Sequence, residues 1–192
     1  MAATIAATKL LRSLVLPVYS DLQFRLSWML LPTRSRFYFL RIPGFSDLAC
    51  GYPNCVEVET AQHIFLDCSR AAALWAVVML DWTNFVDGSV TWTMICTLEE
   101  PHWAAGRVSS AEQLSLLWTI TRCIVIHVIW TARNKHQFED GPPLDPATAI
   151  YRVYSVFGAH FRALLRSSDQ PGLGKNNYFI AITVFVYGNM YY

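Results

Sequence analysis

The sequence predicts a mainly α fold, an irregular multi-helix domain with one cross-linked connection between helices. Three observations carry this. Apolar residues recur at helical spacing over 20–31, 70–80 and 112–138. Proline and glycine punctuate those runs where helices start and stop. Three cysteines and one histidine crowd into residues 50–68, spaced C-x4-C-x7-H-x4-C. Three thiolates and one imidazole are the ligand set of a closed tetrahedral zinc site. A closed site leaves no position for water, so it points to a structural Zn2+ rather than to hydrolysis. A zinc-stapled loop between helices is therefore part of the predicted fold.

The elements follow in order. Residues 1–16 read as an N-terminal tail or helix. In 20–31, Leu22, Leu26, Met29 and Leu30 form a stripe, with Ser20 or Asp21 as cap and Pro32 as stop. Thr33 to Arg41 reads as a second short helix, and Pro43-Gly44 breaks the chain before the cysteines. Thr60 to Leu66 predicts two helical turns carrying His63. His63 and Cys68 are five residues apart, so one continuous helix cannot aim both at a single point. The helix must break near Asp67. Ser69 then resembles an N-cap for 70–80, where alanine and leucine favour helix. Residues 17–80 make up the zinc-binding helical module.

Residues 81–111 read as an irregular connection. Ser109 and Glu112 have capping-box spacing and open a helix over 112–138. Its buried side comprises Leu114, Leu117, Trp118, Thr121, Ile124, Val125, Val128 and Ile129. Asp140-Gly141-Pro142-Pro143 ends it. Asp145 as N-cap and Pro146 at the first position restart helix to Arg166, so 112–168 forms a two-helix region. Residues 169–192 are a loop and an apolar tail. The stretch 178–192 is shorter than the roughly 20 residues a membrane span needs. It reads as a short C-terminal strand or a sticky tail, and no membrane span is expected.

Composition bounds the function. The chain has 192 residues, 54% of them apolar and 15% charged, which excludes a disordered chain. The apolar share exceeds that of an ordinary soluble domain and predicts packing against a partner. Net charge is +1, divided as +4 over 1–48 (six basic, two acidic), −6 over 49–115 (two basic, eight acidic) and +3 over 116–192 (seven basic, four acidic). A uniformly basic nucleic-acid binder is excluded, but a local basic surface is not. Arg34, Arg36 and Arg41 alternate with Phe37 and Tyr38, combining charge and stacking faces as single-strand binders do. A solvated helix face over buried aromatics is the competing reading. The odd count of five cysteines suits metal binding in a reducing compartment, nuclear or cytoplasmic. The acid-free, Lys9- and Arg12-bearing N-terminus makes a mitochondrial presequence the minor alternative.

The run from Cys50 to Trp75, with Glu-Thr-Ala-Gln-His-Ile-Phe-Leu-Asp-Cys at 59–68 and Ala-Leu-Trp at 73–75, resembles the reverse transcriptase zinc-binding domain of non-LTR retrotransposons. The helix and Leu-Pro-Thr-Arg turn at 20–41 resemble the segment preceding that domain's cysteines. Ile129-Trp130 and Arg133-Asn134 are a weaker echo. The resemblance spans about 17–139 and is strongest at 49–76. It implies zinc ligands at Cys50, Cys55, His63 and Cys68. The family usually places two residues between its first two cysteines; here four intervene, which makes Cys50 the least secure ligand. The resemblance also implies a non-catalytic accessory module of an RNA-directed DNA polymerase, helping to hold RNA or single-stranded DNA, with the parent polymerase as partner. The competing reading is a structural or protein-interaction zinc domain that binds no nucleic acid.

Two other groupings carry less. Cys96, Glu99, Glu100 and His102 have no familiar ligand spacing. Cys123 and His127 lie one helical turn apart but lack a third orienting group, so a hydrolase is a remote third class.

Overall fold

The computed structural model describes residues 15–39 and 48–167. The predicted N-terminal tail, Arg41, the Pro43-Gly44 break and the apolar tail at 178–192 lie outside these residues, apart from Val15 and Leu16 of the tail. The described chain is mainly α-helical, as predicted: α1 (Pro17–Ser27), α2 (Ser69–Leu80), α3 (Trp92–Cys96), α4 (Ala111–Phe138) and α5 (Pro146–Ser167). A 3-10 turn (Arg34–Phe37) and a π turn (His63–Asp67) flank the cysteine-rich loop.

α4 is the axis. Its predicted stripe is buried, but so are Ile120, Arg122, Cys123 and Ile126 on the other sides. α1 and α5 pack against it, and the π turn joins them. By length and composition the Ala105–Phe138 run would pass as a membrane span; 67% of that apolar window is buried inside the protein. Aromatic rings fill the space between α2 and α4. Trp82 meets Trp118 edge-on at 5.3 Å, and Trp75 lies 6.2 Å from Trp118. Such pairings add to the area term that drives burial.

Several polar groups within the core fasten one element to another. The last carbonyls of a short helix lack internal partners. Gln23 of α1 donates to the Ile95 carbonyl and Ser27 to that of Cys96, which fastens α3 to α1. Arg122 of α4 donates to the Met94 carbonyl from the opposite side.

Several boundaries differ from expectation. α1 begins at Pro17, with Leu16 as cap, because proline at the first position needs no amide donor. It ends at Ser27, and Met29 turns left-handed (φ 54°) before Pro32 is reached. The helix expected at 33–41 is a 3-10 turn over Arg34–Phe37. Ser69 is the first helical residue of α2, and Cys68 takes the cap position. The Ser109/Glu112 capping box does not form, because a 3-10 turn (Ala105–Ser110) runs directly into α4. The irregular connection contains α3 and an antiparallel pair, β1 (Val86–Asp87) with β2 (His102–Trp103). Asp145 does cap α5: its carboxylate accepts from the Thr148 amide at 3.0 Å and from the Thr148 hydroxyl at 2.6 Å.

Ile124 is wholly buried (0% exposed). Ile124→Ala is expected to cost about 2–5 kcal/mol in urea unfolding. Val56→Ala, at 86% exposure, is expected to stay within about 0.5 kcal/mol.

Candidate metal centre

The chain enters the site through an isolated antiparallel bridge, Ala49 with Val58. Two backbone bonds extend it: Glu59 N–H to the Leu48 carbonyl and Cys50 N–H to the Glu57 carbonyl, both 2.8 Å. The loop between must reverse within a few residues. Asn54 does this in the left-handed region (φ 64°), which asparagine tolerates, and Cys55 N–H bonds the Tyr52 carbonyl. The four-residue spacing is thus closed by a tight turn, and Cys50 is brought into the cluster with the others.

The second pair comes from the π turn. Thr60 starts it, its hydroxyl accepting from the His63 amide at 3.0 Å. The wider turn brings residue i+5 above residue i, and Cys68 N–H donates to the His63 carbonyl at 2.7 Å. Cys68 then leaves helical geometry (φ −58°, ψ 130°). This is the break the five-residue spacing demanded, located one residue beyond Asp67. Trp75 of α2 stabilises the turn by donating its indole N–H to the Phe65 carbonyl at 2.8 Å.

The ligand atoms of Cys50, Cys55, His63 and Cys68 all lie within 4.8 Å of one another. Cys55 Sγ is 3.3 Å from His63 Nε2. Bonds of about 2.3 Å to a tetrahedral zinc place sulfurs roughly 3.8 Å apart, so the set needs only a small contraction. All are buried except half-buried Cys55. The thiol of Cys50 is pushed up, first by the hydrogen bond it donates to Cys68 and then by burial. Cys68 is pulled down, first by that same bond and further by the Arg70 and Ala71 amides at the start of α2 and by His63. The surroundings thus favour an anionic sulfur at Cys68, and metal binding would displace thiol protons from the set.

A buried polar frame holds the loop. Glu59 (1% exposed) pairs with Arg133 of α4 (4% exposed). Its carboxylate also accepts from the Arg34 amide at 3.0 Å. The Arg34 guanidinium donates to the Ala49 carbonyl at 2.9 Å. It presses on Gly51, where an added Cβ would lie 3.3 Å from Nη2. His136 Nε2 sits 3.1 Å from the Gly51 carbonyl, and its ring stacks on Tyr52 at 5.2 Å. The sequence marks Arg133 only through the Arg133-Asn134 echo, and Glu59 only as part of a matching run. A buried acid and base 74 residues apart leave no local pattern.

The structure describes four of the five residues singled out for nucleic acid. Arg34 is bound into the metal loop, and Arg41 lies outside the described residues. Arg36 and Tyr38 are exposed, Tyr38 at 73%, and Phe37 is half-buried. Cys96 and Cys123 are buried. His127 packs edge-on against Tyr19, as a core histidine does. Glu100 is engaged by Trp103 and Ser115. Among the described residues the Cys3His set is the metal-competent group.

No family model matches the chain, and no curated protein or solved structure matches it.

X-ray absorption on the zinc-loaded chain is expected to show three sulfurs near 2.3 Å and one nitrogen near 2.0 Å, values set by zinc chemistry. Cys68→Ser should weaken zinc by more than the about 10–100-fold that losing a supporting residue costs. Glu59→Gln is expected to destabilise the fold by about 3–5 kcal/mol in urea, because Arg133 is left buried without a counter-ion.

Proposed function

We propose that the chain is a non-catalytic, zinc-stapled accessory module of the reverse-transcriptase type its sequence resembles. The convergence of three sulfurs and one imidazole within 4.8 Å carries this reading. The ion's part is to cross-link the 50–55 loop to the π turn. The chain's residues do the rest: the start of α2 favours the Cys68 thiolate, and Glu59, Arg133 and His136 hold the loop against α4.

The module's task is to hold RNA or single-stranded DNA beside a polymerase. Arg36 and Tyr38, exposed on one short turn next to the metal loop, are the residues that would touch it. A protein-interaction module is the second reading. It is favoured by the commitment of Arg34 to the Ala49 carbonyl and by Trp28, Met29 and Leu30, each about half exposed (48–52%) at the end of α1.

Single-stranded RNA binding measured from 50 to 200 mM salt separates the two. The nucleic-acid reading expects affinity that falls steeply with salt and drops at least ten-fold in Arg36→Ala/Tyr38→Ala. Both positions are exposed, so the fold should survive. Salt-independent or absent binding in the zinc-loaded chain would leave the protein-interaction reading.

A further inference from the structure

A cleft of about 350 Å³ opens between α4 and α5, within the size range of small-molecule sites. Val128 and Ala132 form its floor on α4, and Ala149 faces them from α5. Pro142, Pro143 and Leu144 close one end. That end wall is braced from the metal loop. Arg70, two residues beyond Cys68, donates to the Leu144 carbonyl at 2.8 Å. His136 bonds the Gly141 carbonyl at 2.8 Å through Nδ1 while Nε2 meets that of Gly51. The cleft is thus formed before any ligand arrives.

Its charges are arranged along its length. Lys135 stands beside the end wall, and Arg152 lies seven residues into α5 from Asp145, about 10 Å along the helix. The ion pairs among the described residues are Asp21–Arg25 and Glu59–Arg133, so neither cleft cation has a carboxylate partner there. Asp145 also lines the cleft, its carboxylate held by Thr148 and acted on by the charge of Arg70. Arg152 is exposed at the other end, and among the described residues no carboxylate pairs with it. Burial, and then the charge of Arg152, lower the pKa of the His127 imidazole next to Val128.

We propose that this cleft binds a small, elongated apolar carboxylate, its body along Val128, Ala132, Leu144 and Ala149 and its anionic head at Arg152. Apolar walls supply the affinity and the guanidinium supplies the orientation. A neutral analogue gains only the first contribution.

The zinc-loaded full chain, titrated with octanoate and with octanol, tests this by methyl and amide NMR. Octanoate should give saturable shifts at Val128, Ala132, Leu144 and Ala149. Arg152→Gln should weaken it about ten-fold, the scale of one charged hydrogen bond, and Lys135→Gln should weaken it less. Octanol should bind the wild type no better than octanoate binds Arg152→Gln. Shifts confined to Trp28, Met29 and Leu30 on α1, an absence of saturation, or equal octanoate affinity in Arg152→Gln would each overturn the proposal.

Discussion

Three sulfurs and an imidazole held within 4.8 Å are the constraint on which the cysteine-rich half of this fold depends. Thiolates brought together in a low-dielectric setting repel one another and lose hydration. Without a cation, one sulfur must keep its proton, and Cys50 and Cys68 divide that burden between them. The segment has little regular structure of its own, one isolated bridge and one π turn among its described residues. A divalent ion removes the conflict and converts a liability into a cross-link.

The constraint extends outward through polar side chains as well as through Ile64 and Phe65, which are buried in the core, Phe65 stacking on Trp130. Glu59 joins the loop to Arg133 on α4 and to the Arg34 amide. His136 joins it to the Gly51 and Gly141 carbonyls, and Arg70 joins the start of α2 to Leu144. A buried ion pair is weak evidence for stability, because desolvation offsets most of its attraction. Its value is geometric: the orientation of a guanidinium fork fixes where the loop sits. The apolar core, with α4 buried on most of its circumference, supplies the favourable free energy that this frame does not.

How far the sequence alone reaches follows from the range of each interaction. α4, α5, the Asp145 cap and the break at Cys68 depend on residues within one or two turns, and each is legible in the spacing. The ligand set is legible because few chemistries other than metal binding place three thiols and an imidazole so close along a chain. The start of α1 lies earlier than predicted because Pro17 opens the helix ahead of the more familiar caps at Ser20 and Asp21. The Ser109/Glu112 pattern fails because a preceding 3-10 turn already supplies the helix start. The bonds that Arg34 makes are not legible from its grouping with Arg36 and Tyr38. Neighbours along the chain are not neighbours in task once one of them is recruited by Ala49 and Glu59. The Glu59–Arg133 pair, 74 residues apart, is beyond any local pattern.

Hydrogen exchange, compared between the zinc-loaded and chelator-stripped chain, tests the central claim most directly. Metal bound by such a ligand set is expected to be coupled to local folding. Stripping is therefore expected to release the amides of 48–68 by orders of magnitude and to loosen the 139–145 connection that Arg70 and His136 brace. The middle of α4 should keep its protection. Equal exchange across 48–68 with and without metal would mean that the four side chains meet without an ion to join them, and the account would fail.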